Sequence, residues 1–86
     1  MKIVDLKDIQ RKNDTLEYRK VYFARVVLQF PQETIECPVE IVFEHTPFGQ
    51  VHTKVHLKQS LPYPLLPILK NISSYANQLY QKGGVF

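Results

Sequence analysis

Between Tyr22 and Leu57 apolar residues recur at every second position in three successive runs parted by short turns, and no other feature restricts the fold as much. Tyr22, Ala24, Val26, Leu28 and Phe30 alternate with Phe23, Arg25, Val27 and Gln29. Ile35, Cys37, Val39, Ile41 and Phe43 alternate with Glu36, Pro38, Glu40 and Val42, and Val51, Thr53, Val55 and Leu57 with His52, Lys54, His56 and Lys58. Successive side chains of a strand point to opposite faces, so each run predicts a strand with one face on a core. Proline in Pro31-Gln32-Glu33-Thr34 presets a turn-compatible φ, and Gly49 at the end of His45-Thr46-Pro47-Phe48-Gly49 tolerates the positive φ that closing a hairpin needs.

The prediction is a three-stranded antiparallel meander. Tight closure of both hairpins sets Leu28 opposite Cys37, Val26 opposite Val39 and Val39 opposite Val55 on one face. On the other face it sets Phe23 opposite Val42, lines up Arg25, Glu40 and Lys54, and puts Glu36 opposite Lys58. Opposite charges across strands support that register. Pro38 lacks the N–H that a central strand needs, so a bulge or a break in pairing is expected near Cys37 and Pro38.

Leu61-Pro62-Tyr63-Pro64-Leu65-Leu66-Pro67 is stiff, and a helix can begin only near Pro64, with Pro67 tolerated in its first turn. Leu65, Ile68, Leu69, Ile72, Ala76, Leu79 and Tyr80 then share one stripe up to a stop at Gly83-Gly84, with Phe86 in a tail that packs back. This helix is long enough to cover the apolar face of the meander. At the N-terminus Ile3, Leu6 and Ile9 recur every third residue, favouring a short helix to about Lys12 over a strand at Lys2-Ile3-Val4, and Asn13-Asp14 reads as a turn. The fold class is therefore α+β, one domain over residues 1–86.

Cys37 is the single cysteine and cannot form an internal disulfide, and the first residues lack the apolar run of a secretory signal, so a reducing, cytoplasmic setting is expected. No stretch approaches the ~18 apolar residues of a membrane span. The net charge is +3, but it is segregated: no acidic side chain follows Glu44, while Lys54, Lys58, Lys70, Lys82 and all three histidines lie beyond it.

Motifs for chemistry are sparse. Cys37 points to the apolar face and His52 and His56 to the other, which separates a thiol nucleophile from a base. The two histidines stand ~13 Å apart along a strand, too far to share a metal ion. Glu40 and Glu44 are equally separated, and three glycines cannot build a phosphate loop. A helix, a meander and a second helix also occur in that order in double-stranded-RNA-binding domains, but a helix opening Pro64-Leu65-Leu66-Pro67 lacks the lysine cluster with which they grip phosphate. No enzyme, cofactor or metal is expected.

Val21, Phe23, Val27 and Val42 all turn away from the face that the helix covers, and apolar residues left there call for a covering partner. The expected function is a non-catalytic interaction or regulatory module, self-associating as a homodimer or joining another protein through that face. The alternative is a nucleic-acid surface built from Arg25, His52, Lys54, His56 and Lys58, with the charge row as the bland explanation of the same residues.

Overall fold

The computed structural model describes residues 1–12, 17–83 and 86. Four strands, not three, form one antiparallel sheet in chain order: β1 (Lys2–Lys12), β2 (Arg19–Gln29), β3 (Thr34–His45) and β4 (Val51–Leu57). A single helix, α1 (Leu65–Lys82), follows them. The three alternating runs become β2, β3 and β4, and their even and odd positions fall on the faces expected of them.

The N-terminal segment corrects the expected helix. Ile3 lies opposite Leu28 and Leu6 opposite Val26, and register shifts separate Ile3 from Asp5 and Lys7 from Gln10. Each shift inserts residues without a partner, a β-bulge that turns a two-residue repeat on β2 into a three-residue repeat on β1. Ile3, Leu6 and Ile9 thus track Leu28, Val26 and Ala24 and pack on the same core. Asp8, inside the second shift, has φ 53, a left-handed conformation that Asp tolerates better than most side chains.

Both hairpin registers differ from the expected ones by two residues. In the first, Phe30 N–H donates to the Glu33 carbonyl at 2.8 Å, so the loop is the pair Pro31-Gln32 and Leu28 faces Ile35 rather than Cys37. In the second, Thr46 N–H donates to the Gln50 carbonyl at 2.8 Å around a loop in which Gly49 has φ 82, and Val39 faces Leu57 rather than Val55. A slip of two preserves the faces, whereas a slip of one would invert them.

Pro38 produces no break with β2, where it lies opposite Arg25 in unbroken register. Its carbonyl accepts from the Lys58 N–H at 3.0 Å, so its ring nitrogen points toward β4 as well. The ladder with β4 stops one residue earlier, at Val39 and Leu57, and the missing donor costs only a bond beyond that end.

Helix α1 starts after Pro64, with Pro67 in the first turn, and ends at Gly83, whose φ is 73 and whose N–H reaches the Leu79 and Tyr80 carbonyls. Ile68, Ile72 and Ala76 are buried against Val26, Leu28, Cys37, Val39, Ile41 and Phe43 of the sheet. Leu65, although on the predicted stripe, is exposed, as is Leu66. Phe30 stacks on Tyr63 near the start of α1, with ring centroids 3.8 Å apart, and Tyr22, Phe43, Tyr80 and Phe86 cluster near its end. The tail does fold back through Phe86. The Asn13-Asp14 turn and Gly84 lie outside the described residues. Strands of eleven and twelve residues make the body elongated, 43 × 23 × 23 Å.

Candidate functional site

With α1 on one side, the other side of the sheet is an open face whose residues line up in rows across the strands. One row is Lys12, Val21, Val42 and Lys54; the next is Gln10, Phe23, Glu40 and His56. Phe23 therefore faces Glu40, not Val42 as expected, and Val42 faces Val21. Val21 and Val42 are only 1% and 3% exposed, although they lie outside the helix-covered core, and Val27 is half-buried. Phe23 remains 36% exposed. The Lys12 and Lys58 ammonium groups lie 5.7 and 6.0 Å from its ring centroid, within cation–π range. An open hollow of about 440 Å³ adjoins Phe23, lined also by Asp8, Gln10, Arg25 and Pro38.

The charges form a connected network in which β3 supplies the carboxylates. Glu36 is bound by Lys7 at 3.2 Å and Arg25 at 3.3 Å, Glu40 by Lys58 at 2.9 Å, and Glu44 by Lys54 at 3.4 Å. The expected row of Arg25, Glu40 and Lys54 does not form; the two-residue slip makes the pairs diagonal instead. Hydrogen bonds from Lys7 and then Arg25 hold the Glu36 carboxyl below the usual range, and a hydrogen bond from Lys58 does the same for Glu40.

All five residues named for nucleic acid, Arg25, His52, Lys54, His56 and Lys58, belong to or adjoin this face, but Arg25, Lys54 and Lys58 are each partnered by a glutamate. The alternation of β2 to β4 points to Val21, Phe23, Val27 and Val42 but misses Lys7, Asp8 and Lys12, because a helical reading of their segment puts them elsewhere. Their signal is parity: only a bulged strand keeps Ile3, Leu6 and Ile9 in step with a partner.

Cys37 is fully buried beside β2, and burial pushes its thiol up from the usual value. Its Sγ reaches the Pro38 carbonyl at 3.5 Å. At the far end of the helix-covered face, His45 Nε2 and Tyr80 Oη lie 2.7 Å apart and tie β3 to α1. Among the described residues no group of three His, Cys, Asp or Glu side chains could hold a metal ion, and no helix is long and apolar enough to cross a membrane.

No curated protein matches the chain, and no solved structure does either. One family model matches residues 1–81, a span that takes in all four strands and all of α1 except Lys82, and the chain belongs to the BB_0187 family.

Proposed function

We propose that the chain is a non-catalytic interaction module that pairs with a second copy of itself through the open face of its sheet. The observation that carries this reading is Phe23, one-third exposed at the centre of a face that no described element covers, beside the buried Val21–Val42 pair. An aromatic anchor ringed by interspersed charges is the usual anatomy of a protein interface. The four strands hold 41 residues, and at ~3.3 Å by ~4.8 Å each they make a face of roughly 650 Å², near the ~800 Å² per partner of a standard interface.

The charge pattern selects a geometry for that pairing. A twofold axis parallel to the strands lays β2 of one copy over β3 of the other, so Arg25 approaches the partner's glutamate row. An axis across the strands would stack glutamates on glutamates. In the favoured arrangement the hollow beside Phe23 offers a seat for an incoming side chain.

Sedimentation of wild type and Phe23→Asp, each checked by circular dichroism, tests the reading. Wild type should dimerise and Phe23→Asp should sediment as a folded monomer, since losing a central aromatic at an interface commonly costs about 2 kcal/mol or more. A wild type that stays monomeric at high concentration would refute it. Binding of nucleic acid that falls steeply with salt would favour the basic-surface reading instead.

A further inference from the structure

The two edges of the sheet are built differently. Strand β1 presents an edge interrupted by two register shifts, with Asp8 at positive φ, and carries both signs of charge. Bulges and mixed charges are devices that stop a strand from pairing further. Strand β4 has neither: its register with β3 is continuous from Val51 to Leu57.

The direction of its free groups follows from its bonds. Lys58 donates to Pro38 and Thr46 to Gln50, so the even-numbered residues of this hairpin turn their peptide groups inward. Val51, Thr53, Val55 and Leu57 therefore direct N–H and C=O outward, and no backbone bond among the described residues outside the ladders reaches them. Beside this edge lies a polar groove of about 240 Å³ between β4 and α1, lined by Val51, His52, Thr53, Ser73, Ser74 and Asn77. The Thr53 hydroxyl donates to Asn77 Oδ1 at 3.3 Å across its floor.

Charge defines what fits there. The open-face row of β4 is His52, Lys54, His56 and Lys58, and no acidic side chain follows Glu44. A second β4 added antiparallel would set Lys54 against Lys54 and His52 against His56, or, slipped by two, Lys54 against a histidine. Like charges directly opposite destabilise a pair, so the edge disfavours its own copy. The same row complements carboxylates at alternate positions of an incoming strand.

We propose that β4 receives an extended acidic peptide segment as a fifth strand. Its backbone bonds the outward groups of Val51, Thr53, Val55 and Leu57; its alternate acidic side chains meet Lys54, His56 and Lys58; the intervening ones lie toward the Ser73–Asn77 groove. This is strand addition, in which main-chain bonds give affinity and side-chain positions give specificity. It uses an edge distinct from the Phe23 face, and either site can operate without the other.

The probe is a fluorescent eight-residue peptide alternating Glu and Val, read by anisotropy against a scrambled peptide of the same composition with its glutamates grouped. The alternating peptide should bind more tightly. Thr53→Pro removes an outward donor while leaving the bonds to β3, and should weaken binding about tenfold or more. Amide exchange gives a second reading on unaltered protein: Thr53 and Val55 should become protected when the peptide is added. Equal binding of the scrambled peptide, or absence of that protection, overturns the proposal. So does tighter binding of a single-stranded oligonucleotide, which would give the row to phosphate, or self-association abolished by Thr53→Pro but not by Phe23→Asp, which would give the edge to a second copy.

Discussion

The two faces of this sheet bury valines by different means. Under α1, Val26 and Val39 sit among Leu28, Ile41, Phe43 and Ile72, with apolar side chains in contact on every side. On the open face Val21 and Val42 reach nearly the same burial between Lys12 and Lys54, in rows that also hold Phe23, Glu40 and Glu44. Long charged side chains lay aliphatic stems over apolar neighbours while their heads stay in water. Burial alone therefore does not identify the core; what does the burying decides how much is lost when a residue is trimmed.

The covered face should yield the largest effects. Leu28→Ala and Ile41→Ala should each destabilise by about 2–4 kcal/mol, because a rigid, fully buried site cannot collapse onto the missing methyl groups. Glu33→Ala, in the first turn, should change far less, and chemical denaturation of all three checks the ordering. Val42→Ala should come next, at about 1–2 kcal/mol for two methyl-sized groups, since the lysine stems beside it can shift to fill the space. If Val42→Ala costs as much as Ile41→Ala, the open face is packed as rigidly as the covered one, and the contrast between them fails.

Much of this arrangement is legible in the sequence, and what is not has definite causes. The faces of β2, β3 and β4 follow from parity, which survives the two-residue error in both hairpins; the ion pairs do not, because moving Glu40 from Lys54 to Lys58 needs the true loop lengths. Strand β1 escapes a sequence reading because Ile3, Leu6 and Ile9 imitate a helical stripe. A strict three-residue spacing drifts round a helix by about 60° per step, so a lasting stripe needs steps of four as well, as Ile68, Ile72, Ala76 and Tyr80 provide. Lys7, Asp8 and Lys12 of the open face are hidden by the same imitation. Nothing local in the sequence marks where a bulge falls; the position is set by the partner strand.

Asp8 tests how that bulge serves both faces. Its left-handed φ of 53 lets Ile9 turn toward the core while Lys7 and Gln10 stay on the open face. Asp8→Gly relieves the Cβ penalty of about 1–2 kcal/mol but adds about 0.5–1 kcal/mol of chain entropy, leaving a net gain under about 1 kcal/mol. Asp8→Val, β-branched and without a side chain suited to positive φ, should lose stability. Thermal melts of the two variants should move in opposite directions. Melts that coincide would mean the bulge is not held at Asp8.

The smallest effect separates the faces by pH. Glu36 and Glu40 have carboxyls held below the ordinary value of 4.5 by Lys7, Arg25 and Lys58, and both lie on the open face. A depressed carboxylate binds fewer protons folded than unfolded, so its contribution is fully present above about pH 4.5 and is lost as pH falls through the lower folded value. The groups raised above their usual values, Cys37 by burial and Tyr63 by its hydrogen bond to Glu33, behave in the opposite sense: their contribution holds at neutral pH and is lost only in alkali. Acid therefore addresses the open face, and alkali addresses the helix-covered side where Cys37 is buried and Tyr63 stacks on Phe30. Glu36→Gln should flatten the acid limb of a denaturation-midpoint series below about pH 4.5 and leave the alkaline limb unchanged. Because Glu36 and its partners are well exposed, about 0.5 M salt should flatten the same limb in wild type, since screening shortens the reach of surface charge to a few ångströms. An acid limb that ignores both the substitution and the salt would mean that the carboxylates of β3 do not stabilise the open face, and that its valines are kept dry by stems alone.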